Sequence, residues 1–217
     1  MKQYLALVDT LNQAWTQIRK VYPEIPEAVV LVATGGRRAT TTFGWFVGET
    51  WIEIDPEDKQ TMKGEHAIHE ITLVAEQLHR GGLAVFTTLL HEGVHGLAKA
   101  RGIKEVSGKR HNRKFAQLAE DVGMKGPVEA DEKIGWSKCT LRPETVSLFK
   151  PEIDAIDKAL DVCRIVKIDK PKPAVKKAKC ECREANLSKK FLDAGAVICG
   201  LCMAKFELDK QGENEHS

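Results

Sequence analysis

No stretch of this 217-residue chain stays apolar over the roughly 18 to 20 positions that a membrane span requires. Its first residues, Met1, Lys2, Gln3 and Tyr4, run into an amphipathic segment rather than the apolar core of a signal peptide. These absences exclude a spanning helix from the expectation and point to an unexported, cytoplasmic protein with no membrane partner. Internal repeats are also absent, which excludes a solenoid. Gly35 and Gly36 are not followed by the Lys-Ser/Thr pair that a phosphate-binding loop needs, so they read as a turn. A large net charge is missing too, at +2 overall, but the balance is uneven. From Arg164 to Lys190 ten Lys or Arg face three acids (Asp169, Glu181, Glu184), so that stretch carries +7 and the remainder −5. Charge alone fits either contact with a polyanion or a linker kept in solution by its lysines.

What is present allows one full core and a small appendage. Leu5, Val8, Leu11, Trp15 and Ile18 recur at helical spacing and predict a helix over about residues 3–21, stopped before Pro23. Residues 28–34, 42–47 and 50–54 are rich in β-branched and aromatic side chains, and the last two, separated by Gly48-Glu49, predict a hairpin. Residues 69–74 predict another strand. After the polar break at residues 79–82, residues 83–100 read as one buried helix that Gly102 stops. A short helix follows in which Phe115, Leu118 and Val122 share a face, ended by Gly123. Ile153, Ile156, Leu160 and Cys163 form a further helical stripe, with Cys163 in a packing role, before the Pro/Lys-rich residues 170–177. The pattern is α+β.

His91-Glu92-Gly93-Val94-His95 lies inside the helix predicted over residues 83–100. Histidines at i and i+4 stand one turn apart on one face, so both imidazoles can reach one Zn²⁺, and Glu92 beside them can act as the base for an attacking water. A catalytic zinc site needs a third protein ligand. The metzincin continuation requires a glycine and then a histidine where this chain has Ala98 and Arg101, so that class is excluded. His111 and Glu120 remain. His111 is favoured because it precedes Asn112, a good helix N-cap, which would let a short rigid helix aim the ring back at the motif; Glu105 sits in the loop, too close in sequence. Arg110 and Arg113 are near enough in sequence to be oxyanion-stabilising candidates.

Cys180, Cys182, Cys199 and Cys202 form two thiolate pairs, C-x-C and C-x-x-C, separated by 16 residues. In an unexported chain this spacing points to a zinc ribbon, a module too small for its own core that folds around a structural Zn²⁺. Arg183 and Met203 stand where such knuckles commonly place glycine. Lys176, Lys177, Lys179, Arg183, Lys189, Lys190 and Phe191 supply cations and one aromatic, the combination that holds phosphates and stacks a base, so DNA is a candidate partner.

Several of these segments resemble the SprT-like metallopeptidases, especially their compact bacterial members: residues 89–97 around the motif, Arg110-His111-Asn112-Arg113-Lys114-Phe115, Leu118 to Gly123, Gly135-Trp136-Ser137 and the C-terminal cysteines. The resemblance covers most of the chain and carries little before about residue 40. It implies a zincin-like α+β fold, and it implies His111 rather than Glu120 as third ligand, since the family places that histidine shortly before a Phe. It also implies a protease acting on DNA-associated or DNA-crosslinked proteins, the activity of its eukaryotic relatives, and hence nucleoid association if DNA is bound. The expected division is a zincin domain over 1–140, a helix and basic linker over 141–178 and a ribbon over 179–210, with one catalytic and one structural Zn²⁺. The rival expectations are a nucleic-acid-binding zinc protein whose zincin domain is structural or regulatory, and a zinc hydrolase of another kind.

Overall fold

The computed structural model describes residues 2–54, 57, 62–165 and 175–208, so residues 166–174 of the expected linker and 209–210 of the expected ribbon lie outside them. The chain forms two compact units, Met1–Val166 and Lys167–Ser217. No helix among the described residues is long and apolar enough to cross a membrane.

Helix α1 (Lys2–Val21) leads to strand β1 (Ala28–Ala33), a 3-10 turn at Gly36–Arg38, strands β2 (Gly44–Ile54) and β3 (Met62–Val74), and a second 3-10 turn at Ala75–Arg80. Helix α2 (Gly82–Ala100) follows, then β4 (Val106–Ser107), β5 (Arg110–His111), α3 (Arg113–Asp121), β6 (Met124–Lys125), β7 (Thr140–Leu141), α4 (Pro143–Leu148) and α5 (Lys150–Ala159). The sheet order is β1-β3-β2, with β3 central, parallel to β1 and antiparallel to β2. The chain is therefore mixed α+β, as its pattern implied.

Alternation buries Ala28, Val30 and Val32 of β1, while α1 buries Leu7, Leu11, Ala14, Trp15 and Ile18. The expected stripe is displaced by part of a turn at its start: Leu5 is 56% exposed and Leu7 takes its place. Helix α2 runs through the centre with Phe86, Leu89, Leu90, Val94 and Leu97 buried. Glycine lets α1 come close: a Cβ on Gly93 would stand 3.2 Å from the Trp15 ring. Glycine inside a helix costs about 1 kcal/mol relative to alanine, and here it admits a tryptophan.

Three expectations are corrected. Residues 42–54 are not a hairpin. β2 is one strand that pairs along the 13-residue β3, and Gly48-Glu49 form a bulge where the register jumps between Val47 and Trp51. Glu49 takes a positive φ of 56°, and its N–H donates to His69 Nδ1 at 2.9 Å. Second, the helix expected in a separate 141–178 segment belongs to the main core. Phe149, Ile153 and Ile156 are buried in it, the Phe149 ring lies 5.0 Å from Phe86, and Asp157 Oδ1 accepts the Gly82 N–H at 2.7 Å, capping α2. Third, Cys163 lies beyond the end of α5 and is exposed, whereas Cys139 is buried.

The second unit has β8 (Val175–Lys179) between β9 (Glu184–Ser188) and β10 (Glu207–Leu208), with α6 (Lys189–Ala194) after β9. Its core is small: Ala178, Cys180, Cys199 and Phe206. Apolar burial on that scale does not hold a fold by itself.

Candidate metal sites and the cleft

His91 and His95 project from one face of α2 with ring centroids 5.4 Å apart. His111 comes from β5, and its backbone is clamped on both sides. β5 pairs with β4, while the His111 N–H donates to the Ile134 carbonyl (3.2 Å) and the Trp136 N–H donates to the His111 carbonyl (3.0 Å). Gly135 makes this possible: it adopts φ 68°, and any Cβ there would collide with the His111 carbonyl oxygen. Immediately after, the Asn112 side chain accepts the Lys114 N–H at 2.9 Å and starts α3, in keeping with its cap chemistry. The His111 ring then lies 5.0 Å from His91 and 4.9 Å from His95, and the buried Phe115 ring floors all three.

The ligand-capable nitrogens of the three histidines all lie within 4.8 Å of one another, so this group could hold a metal ion. The tautomers support that reading. His95 Nδ1 donates to Glu105 Oε1 at 3.0 Å, which in a neutral ring leaves the lone pair on Nε2, and His95 Nε2 faces His111 Nε2 across 3.0 Å. Burial, then the neighbouring rings, hold His91 well below the usual histidine range, and burial followed by His95 holds His111 down to about 4. Both are neutral near pH 7, the form that ligates a cation. His111 Nδ1 is buried without a partner, so the ring's polar contact is made through Nε2 alone.

Glu92 is buried, and that burial pushes its carboxyl up to about 7 against an opposing pull from His95. Gly44 leaves room for it, since a Cβ there would stand 3.2 Å from Glu92 Oε1. Both His91 and Glu92 open onto a cleft of about 1190 Å³ that also takes in Phe43, Arg80, Leu83 and Lys104. Glu120 is exposed on α3 and takes no part in the cluster. Neither Arg110 nor Arg113 lines the cleft; Arg113 instead lies over the Trp136 ring at 5.8 Å. Glu105 does join the site, although its loop position gives no periodicity to read. Only the β4–β5 pairing carries it back to His95.

In the second unit the four cysteine sulfurs also lie within 4.8 Å of one another, with Cys180–Cys182 at 3.7 Å and Cys182–Cys199 at 3.6 Å. These separations are far beyond a disulfide bond, and the cysteines are free. The group could hold a metal ion, and four soft sulfurs suit a tetrahedral cation such as zinc. The backbone N–H groups of Cys202 and Leu201 pull the Cys199 thiol down to about 5. Met203 adopts a positive φ of 56°, the left-handed conformation that favours glycine.

Of the residues expected to meet nucleic acid, Lys176, Lys177, Lys179, Lys190 and Phe191 are exposed, Phe191 at 69%. Arg183 is exposed but its guanidinium donates to Cys199, which raises its pKa. The Lys189 side chain lies outside the described residues. No protein-family model, no curated protein and no solved structure matches this chain.

Proposed function

We propose that the chain is a zinc-dependent metalloendopeptidase that hydrolyses peptide bonds in the cleft of its first unit. One observation carries the reading: three imidazoles converge beside a buried glutamate on the wall of an open cleft. His91, His95 and His111 would hold the cation. A zinc ion bound there supplies Lewis acidity, polarising a carbonyl and acidifying water. Glu92 takes a proton from the attacking water onto a carboxylate oxygen and returns it to the nitrogen of the leaving amine, so that one water is consumed and one peptide bond is broken. A carboxyl poised near 7 is matched to moving a proton in both directions near neutral pH. Glu105 fixes the His95 tautomer, and Phe115 keeps water off the far side of the rings.

The resemblance to the SprT-like family supplies the substrate class, proteins associated with or crosslinked to DNA. The exposed lysines of β8 and α6 and the open face of Phe191 support a nucleic-acid contact in the second unit, where the four cysteines would hold a structural zinc. Those same lysines favour the rival reading, a nucleic-acid-binding zinc protein without turnover. Glu92→Gln separates the two. Turnover of an unfolded protein substrate, assayed with and without DNA, is expected to fall by roughly 10²- to 10⁴-fold while zinc content and DNA affinity stay unchanged. Turnover undiminished in Glu92→Gln would sink the peptidase assignment. DNA affinity in an unsubstituted chain that cleaves nothing would favour the binder.

A further inference from the structure

The cleft has two ends, because α2 runs along its floor. Near the C-terminal end of α2 it is rimmed by Lys99, Lys104 and Lys109, all exposed. Near the other end stands Arg80, which is half-buried; the remaining cation of the cleft lining, Lys138, is exposed and paired with Asp131 Oδ2 at 2.7 Å. Three contacts fix Arg80. Its Nε–H donates to the Gln77 carbonyl at 3.0 Å, its Nη2 donates to Thr88 Oγ1 at 2.9 Å, and its guanidinium carbon lies 4.0 Å above the Phe43 ring. Gln77 is itself buried and tied to the Ala39 carbonyl, so the mount is rigid.

A guanidinium offers five N–H donors in one plane. Two are used by protein atoms here, and three remain, including both on Nη1. No carboxylate among the described residues is paired with Arg80. A half-buried cation without a counter-charge is costly, and one held in place by neutral partners is pre-organised for an anion from outside. Thr88, which Arg80 touches, precedes His91 by three residues, about 4.5 Å along a helix axis, while an extended peptide advances about 3.3 Å per residue.

We infer that Arg80 is a specificity-determining residue that binds a substrate carboxylate one to three residues from the scissile bond. Its relation to a scissile bond rests on the peptidase reading; its capacity for a carboxylate does not. That carboxylate comes either from an acidic side chain within the substrate or from a free C-terminus, and the chemistry at the guanidinium is the same.

The test uses the full zinc-loaded chain and pairs of otherwise identical short peptides, Glu against Gln at each position flanking the cleavable bond, and free acid against amide at the C-terminus. Binding is measured on Glu92→Gln, cleavage on the chain with Glu92 intact. One acidic twin is expected to bind about tenfold more tightly than its neutral partner. The arm that shows this identifies the source. Arg80→Met should abolish the preference, Arg80→Lys should retain part of it, and Lys104→Met should leave it in place. The comparison between twins on the chain that keeps Arg80 does not depend on whether Arg80→Met folds. If the twins bind alike or not at all, or if the preference survives in folded Arg80→Met, the inference is overturned, and cleavage by the Glu92 chain would leave the peptidase reading untouched. If an Arg80-dependent preference is seen and no peptide is cleaved, the carboxylate site holds and the peptidase reading falls.

Discussion

Glu105 decides which nitrogen of His95 is available. Its Oε1 accepts the proton of His95 Nδ1, and hydrogen bonding to that ring outweighs partial burial in holding the Glu105 carboxyl below the usual range. Outer-shell carboxylates of this kind typically change metal affinity by about 10- to 100-fold when removed. Glu105→Gln is therefore expected to weaken zinc binding at the histidine group by a factor in that range, read by competition with a chelator, with melting of the zinc-free protein little altered. Affinity within twofold of the unsubstituted chain would mean that His95 is oriented by packing alone. The residues that sequence reading finds and misses divide along this line. His91, Glu92 and His95 are legible because helical periodicity places them, and His111 because Asn112 after it is a cap. Glu105 and Arg80 give no such sign, since each reaches its partner through a turn or a two-residue strand pair whose path only the fold defines.

Glu76 ties several elements together. At 4% exposure on the 3-10 turn after β3, it accepts the Thr34 hydroxyl at 2.7 Å and the Gly35 N–H at 3.0 Å, and Arg164 Nε beyond α5 stands 3.3 Å away. Burial would raise its pKa, but these donors prevail and hold it below the ordinary value. A depressed carboxylate stabilises the fold above its unfolded pKa, about 4.3, and that contribution is lost as pH falls through the lower folded value. The unsubstituted chain should thus lose stability as pH drops below about 4. Glu76→Gln should be less stable at pH 7, and the gap should narrow toward pH 3, as measured by denaturant unfolding across that range. A constant gap would assign the loss to packing rather than charge. At this scale the elements of the first unit are largely legible from period and caps. The β2 bulge is not, because Gly48-Glu49 satisfies turn chemistry equally well and only the length of β3 decides between turn and bulge. The phase at the start of α1 is equally hidden, because Leu5 and Leu7 both fit a stripe until β1 fixes which one it covers.

Two metal-competent groups in two units lead to the expectation that the chain takes up cations independently in each. Elemental analysis is expected to give two zinc ions per chain. His111→Ala should lose about one while the second unit stays folded, and Cys199→Ser/Cys202→Ser should lose the other and unfold that unit, since its apolar core is only four residues. Retention of both ions in His111→Ala would remove His111 from the site. The cysteine group is legible from spacing, but the extent of the first unit is not. Pro143 and Pro151 look like breaks in the sequence, yet each stands in the first turn of its helix, where proline is accommodated.

That last point bears on any attempt to dissect the chain. A fragment ended at residue 140, where the sequence pattern alone would close the first domain, would strip the Phe149 ring from Phe86 and withdraw the Asp157 carboxylate from the Gly82 N–H. The histidine-bearing helix would then begin frayed and flanked by water. The shortest piece that can be studied alone has to run through Ala159, so the segment that looks like a tether is the keystone of the half that carries the histidine group.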